Sequence, residues 1–78
     1  MRGQFLPLAL VRPNREVSLM AVIGGQGLRR RLNDMGLNKG VKFKVIHGSL
    51  VGPCIISLGN SRLVLGRGMA HKILVKEE

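Results

Sequence analysis

The chain has 78 residues, an apolar share of 45%, and 13 Lys and Arg against 4 Asp and Glu, for a formal charge of +9. That length allows one small domain with a thin core, and the apolar share excludes a disordered chain. One cysteine excludes an intrachain disulfide framework and fits a reducing compartment, no apolar run reaches the roughly 20 residues of a membrane span, and the charge attracts nucleic acid, an anionic membrane surface or an acidic protein.

Arg2 ahead of the apolar run Phe5–Val11 has the outline of a signal peptide, but Pro7 interrupts the run and no small-x-small site follows it. Leu8–Val11 is therefore predicted as a short edge strand. Arg12-Pro13-Asn14-Arg15 supplies a turn in which proline presets φ. Val17–Ile23 is apolar and β-rich enough for a central strand, and Gly24-Gly25 ends it. Leu28, Leu32 and Met35 then recur at i, i+4 and i+7, which predicts a helix over 28–35 with one buried face. Arg29, Arg30 and Asn33 point away from that face and Arg31 lies at its boundary. Gly36 fits the left-handed position after a helix, with Leu37 the hydrophobe that packs back on the last turn.

Asn38-Lys39-Gly40 makes the next turn, and Val41, Phe43 and Val45 alternate with Lys42 and Lys44 in a half-buried strand. His47–Pro53 is predicted as a loop. Cys54–Leu58 is the next strand, with Cys54, Ile56 and Leu58 on its inner face. Gly59-Asn60-Ser61 is a hairpin-like turn, and the strand after it turns Leu63 and Leu65 inward. Gly66–Ala70 is short enough for a single 3₁₀ turn. Lys72–Lys76 closes the chain as a last strand with Ile73 and Val75 inside, and Glu77 and Glu78 are expected to fray. Short strands, glycine turns and one short helix predict a mainly β fold, a small closed or nearly closed barrel in one domain, 1–78. Exposed edges on so thin a barrel leave room for a homo-oligomer.

The order of these pieces resembles the FeoA family. The pieces that carry the resemblance are Pro7-Leu8-Ala9-Leu10, Ile23-Gly24-Gly25, Arg30-Arg31-Leu32, Met35-Gly36-Leu37, Gly40-Val41, Gly52-Pro53, Leu63–Leu65, Ala70, Ile73 and Val75, which together span residues 5–76. The family usually has proline where this chain has Lys39, and often glycine near the first turn, where this chain reads Asn14-Arg15-Glu16. The resemblance implies an SH3-like β-barrel with one inserted α-helix. It also implies a cytoplasmic accessory role beside FeoB, the membrane transporter of ferrous iron. The same fold occurs as a C-terminal domain of iron-dependent repressors, so the fold alone does not assign the role.

Catalysis is poorly supplied, because Cys54, His47 and His71 form no nucleophile–base motif with Asp34 or Glu16. Gly24-Gly25-x-Gly27 before a helix lacks the Gly-Lys-Ser/Thr ending of a phosphate loop and reads as a strand-to-helix turn. Iron or zinc would find its candidate ligands in Cys54, His47 and His71, which lack the paired spacing of a structural site. Cys54 shares a face with Ile56 and Leu58 and reads as a core residue. With no Trp or Tyr and only two Phe, the chain lacks the aromatic groove of proline-rich peptide binders and the stacking platform of single-strand binders. Backbone contact with duplex nucleic acid stays open.

The basic surface is the stronger candidate. Arg29, Arg30 and Arg31 cluster on the helix, and Lys42 and Lys44 form a second stripe on the outer strand face. Charge patterning alone is equally consistent with a solvated face. The resemblance favours a partner-binding surface built from Gly24, Gly25, Gly27, Arg29, Arg30 and Arg31, with Lys42 and Lys44. It would meet the transporter or the anionic inner leaflet, where each cation contributes about 1 kcal/mol.

Overall fold

The computed structural model describes residues 5–48 and 51–78. Arg2 of the signal-like start, and Ser49 and Leu50 of the predicted loop, lie outside the described residues. In chain order the elements are β1 (Leu6–Pro7), a 3₁₀ turn (Leu8–Leu10), β2 (Glu16–Val22), α1 (Gln26–Asp34), β3 (Lys42–His47), β4 (Cys54–Leu58), β5 (Ser61–Leu65), α2 (Arg67–Lys72) and β6 (Ile73–Glu77). The strands form one antiparallel sheet in the order β1-β6-β2-β3-β4-β5. The sheet curls around a core in which Leu8, Val17, Leu32, Val45, Cys54, Ile56, Leu65, Ile73 and Val75 are fully buried. This is an SH3-like small β fold; β1 and β5 remain its two ends.

The sequence patterns account for most of these elements. β2 lies between β6 and β3, as its apolar run predicts, and buries Val17 and Leu19 inward. Its Ser18 faces the other side, where it is covered by Glu78. In β3, Phe43 and Val45 are buried while Lys42 and Lys44 are exposed, the period-two alternation of a half-buried strand. Leu58 pairs with Ser61, so β4 and β5 are joined by a two-residue hairpin, Gly59-Asn60. The Asn38–Val41 turn closes through the Val41 amide on the Asn38 carbonyl at 3.0 Å. Lys39 and Gly40 are its central residues, with φ +89° at Gly40, the type II pattern.

The end of α1 follows its predicted cap closely. The Leu37 amide donates to the Leu32 carbonyl at 2.8 Å, and the Gly36 amide to the Asn33 carbonyl at 2.9 Å. These are the 6→1 and 5→2 bonds of a Schellman cap, with Gly36 at φ +91° and Leu37 buried.

Four expectations are corrected. Leu8–Leu10 is a 3₁₀ turn rather than part of a strand Leu8–Val11. A strand would send alternate residues outward, whereas the turn lets Leu8, Ala9 and Val11 all enter the core. The predicted single 3₁₀ turn at Gly66–Ala70 is a second short helix, α2, opened by the Ala70 amide on the Gly66 carbonyl at 3.0 Å. Lys72 is therefore the last residue of that helix and not the first of the strand. Glu77 and Glu78 are not frayed: Glu77 pairs with Val17, and the Glu78 amide donates to the Glu16 carbonyl at 2.9 Å. Element ends also move slightly, with α1 starting at Gln26, β2 ending at Val22 and His47 completing β3.

Candidate functional site

The strand-to-helix connection is held by local sterics. Gly24 has φ +150°, and a Cβ there would lie 3.2 Å from Leu28 Cδ2, so this glycine has a structural reason of its own. Gly25 and Gly27 have open space where a Cβ would go. Gly25 caps α1 in an extended conformation without a side-chain bond to the first turn, which contains no acid. A helix of nine residues with so little local support depends on packing. Leu32 is fully buried beneath it, with Leu28 and Met35 half-buried on either side. Those three anchors decide where the arginines go.

Arg30 and Arg31 are exposed, and among the described residues neither side chain has an ion-pair or hydrogen-bond partner. Arg29 behaves differently. The helix turns its 29/33 edge toward β2, and Arg29 Nη2 donates to the Val22 carbonyl at 3.4 Å. Arg29 and Asn33, expected to point away, instead line a cleft of about 310 Å³ between α1 and β2. Its floor is Leu19, Met20, Ala21, Val22 and Leu37, and Lys39 closes the far rim from the turn before β3. Among the described residues the lining contains two cations and no carboxylate.

Backbone geometry adds a polar element to this cleft. β2 carries a bulge: its register against β6 shifts between Leu19 and Ala21. The Leu19 amide and carbonyl are used on the β3 side, by Val41 and Gly40, whereas the Ile23 amide bonds the Lys72 carbonyl on the opposite side. Backbone direction alternates along a strand, so Val22 directs its amide and carbonyl into the cleft, where its carbonyl meets Arg29.

The second basic stripe is partly engaged within the chain. Lys42 Nζ lies 3.7 Å from Glu78 Oε1, and Lys44 sits across from Glu16 in the β2–β3 register. Ser18 Oγ donates to Glu78 Oε2, and this hydrogen bond, with nearby Lys42 and Lys76, holds the Glu78 carboxyl below the usual carboxylate range. The candidate metal ligands are dispersed between environments. Cys54 is buried, and burial pushes its thiol up, against the thiolate a metal requires. His47 ends β3 and His71 lies in α2, both exposed. Among the described residues no group of three or more His, Cys, Asp or Glu is placed to hold a metal ion.

Sequence reasoning noted Lys39 only as a departure from the family pattern, outside the partner surface, and missed Val22 and the cleft itself. The only signal was the type II turn, which puts whatever occupies position 39 on the outer corner beside α1. The bulge in β2 had no signature in an apolar run.

A six-stranded antiparallel SH3-like sheet with a basic helix inserted between β2 and β3 defines a class of small β domains. The FeoA domain model matches residues 6–77, and the chain belongs to the FeoA family. It is 42% identical over 71 residues to a protein of Methanocaldococcus jannaschii named "Putative Fe(2+) transport protein A", covering 91% of this chain and 85% of that one. The crystal structure of an iron uptake regulatory protein (FeoA) superposes with a TM-score of 0.87 at 31% identity, covering 96% of this chain and all of the other. A manganese-dependent transcriptional repressor contains the same fold, with a TM-score of 0.84 at 14% identity over 95% of this chain and 42% of its own. Among the described residues no helix is long and apolar enough to cross a membrane.

Proposed function

We propose that the protein is a non-catalytic accessory of ferrous iron uptake that works by docking on the FeoB-type transporter at the cytoplasmic face of the membrane. The observation that carries this reading is the exposed cluster Arg30 and Arg31 beside Arg29, without ion-pair partners among the described residues, on a helix anchored to the barrel by the fully buried Leu32. The contact surface is α1 with the Gly24–Gly27 turn. Gly25 and Gly27 leave the backbone bare there, so a partner can approach closely. Lys42 and Lys44 extend the positive field, although Lys42 shares its charge with Glu78. Anionic lipid at the inner leaflet adds attraction to the same cations.

The test is co-purification with the transporter from solubilised membranes at low and moderate salt. The double variant Arg29→Glu/Arg30→Glu should fold normally, because both side chains are exposed, and should lose the transporter. Undiminished recovery of the transporter by that variant would refute the surface. Recovery of nucleic acid alone, lost as salt rises, would refute the partner.

A further inference from the structure

We propose that the cleft between α1 and β2 holds an acidic, extended segment of a protein partner, with an apolar side chain of that segment seated on the cleft floor. This rests on the docking reading above and states how the partner is gripped. Three features of the cleft converge on that ligand. The accessible apolar part of the floor is the half-buried Met20 and Val22 and the exposed Ala21, with Leu19 and Leu37 buried, in a space of about 310 Å³, near the lower end of the range of small-ligand sites. Arg29 and Lys39 stand on opposite rims with no carboxylate between them, in a chain that already carries +9. Val22 presents a strand-like amide and carbonyl to the same space.

The Arg29 bond shows how the exchange would run. Its Nη2 sits 3.4 Å from a neutral carbonyl, at the long end for an N–H···O bond and in an exposed position. A carboxylate entering the cleft replaces that loose contact with a charge-assisted, two-pronged one. The Val22 carbonyl thus released accepts an N–H from the segment's own backbone, and the Val22 amide donates in return. A phosphodiester chain could use the two cations but would leave the apolar floor wet. A lipid headgroup has no backbone N–H to give Val22. An acidic peptide alone satisfies floor, rims and strand.

The experiment selects a random peptide display library on the immobilised full chain, and in parallel on the Lys39→Glu and Arg30→Glu variants. Thermal unfolding of each variant checks that it is folded. The expected winners on the unaltered chain pair Asp or Glu with Leu, Ile or Val. They should shift the amide resonances of Met20, Val22 and Leu37, and bind Lys39→Glu at least about tenfold more weakly while tolerating Arg30→Glu better. Winners that are neutral or basic, shifts confined to other residues, or no enrichment would each overturn the cleft. Co-purification of the transporter with Lys39→Glu separates the two readings. Undiminished recovery overturns the cleft and leaves the docking reading standing. Loss of recovery in Lys39→Glu, with the unaltered chain retained, supports both. If the unaltered chain itself fails to recover the transporter, the docking reading falls and the display result decides the cleft by itself. Anionic phosphatidylserine vesicles that bind the chain in a Lys39-dependent way, with no peptide enriched, would reassign the cleft to lipid and overturn the proposal.

Discussion

Gly36 is a position where one added methyl group should be costly for two separate reasons. It stands at φ +91°, where an L side chain is strained, and its cap bonds hold the end of α1 against the barrel. The left-handed conformation costs alanine about 1–2 kcal/mol. A Cβ there would also lie 3.2 Å from Leu58 Cδ2, so the half-buried Leu58 must move, which adds about 1 kcal/mol at the low end of overpacking penalties. The sum, about 2–3 kcal/mol, is a large part of the roughly 4–12 kcal/mol expected for a 78-residue domain. Thermal unfolding followed by far-UV circular dichroism should show Gly36→Ala melting roughly 10–20 °C lower. Gly40→Ala is the matched control, since Gly40 has φ +89° but open space around the added methyl. It carries the conformational cost without the clash and should fall by roughly 5–15 °C. Equal losses in the two variants would refute the role of Leu58, and an unchanged Gly36→Ala melt would refute the cap.

Gly48→Ala should be comparably severe for a different reason: its Cβ would meet the Val11 carbonyl oxygen at 2.6 Å, and backbone cannot rotate away as a side chain can. A melting temperature within about 3 °C of the parent would show that the β3 end is free to shift. Leu32→Ala removes the fully buried anchor of α1 and should cost about 2–5 kcal/mol in chemical denaturation, with the m-value retained if the barrel stays two-state. The Glu78 carboxyl is held below its ordinary range by Ser18, then Lys42 and Lys76. Its contribution to stability is therefore complete above the ordinary carboxylate range and lost as the pH falls through the lowered folded value. Glu78→Gln should flatten that part of the melting-temperature-against-pH curve, and an unchanged curve would deny the interaction. Lys39→Pro suits the first central position of a type II turn and should stabilise the chain by about 0.4–1 kcal/mol while weakening peptide binding in the cleft. A variant that gains stability and keeps full binding would remove Lys39 from the site.

The parts of the fold that were legible are those where a single local rule decides. Val41, Phe43 and Val45 against Lys42 and Lys44 leave one orientation for β3, because a one-residue slip would bury both lysines. Gly36-Leu37 after Met35 specifies a helix end through backbone chemistry that needs no tertiary partner. Leu8–Leu10 was less legible because Leu, Ala and Leu suit several conformations. Only the demand of the core for Leu8, Ala9 and Val11 together selects the 3₁₀ turn. The fate of Glu78 was invisible for a similar reason: its order depends on Ser18, 60 positions away.

The candidate surface divides along the same line. That α1 carries three exposed or rim arginines follows from the spacing of Leu28, Leu32 and Met35, and needs nothing beyond helix geometry. That Arg29 serves a cleft while Arg30 and Arg31 serve the open face depends on how the helix is rolled against β2, a tertiary quantity. The bulge between Leu19 and Ala21 then matters as much as any side chain. Without it, backbone alternation would continue unbroken from Leu19, and Val22 would turn its amide and carbonyl toward β6 and away from α1. One extra residue in the strand thus converts an ordinary helix–sheet seam into a cleft with a backbone hydrogen-bonding position beneath Arg29. An apolar run such as Ser18-Leu19-Met20-Ala21-Val22 reads the same with or without that residue. A binding feature made of main chain is therefore hidden from any reading of side-chain pattern, and charge, the visible part of this site, tells where a partner is attracted but not how it is held.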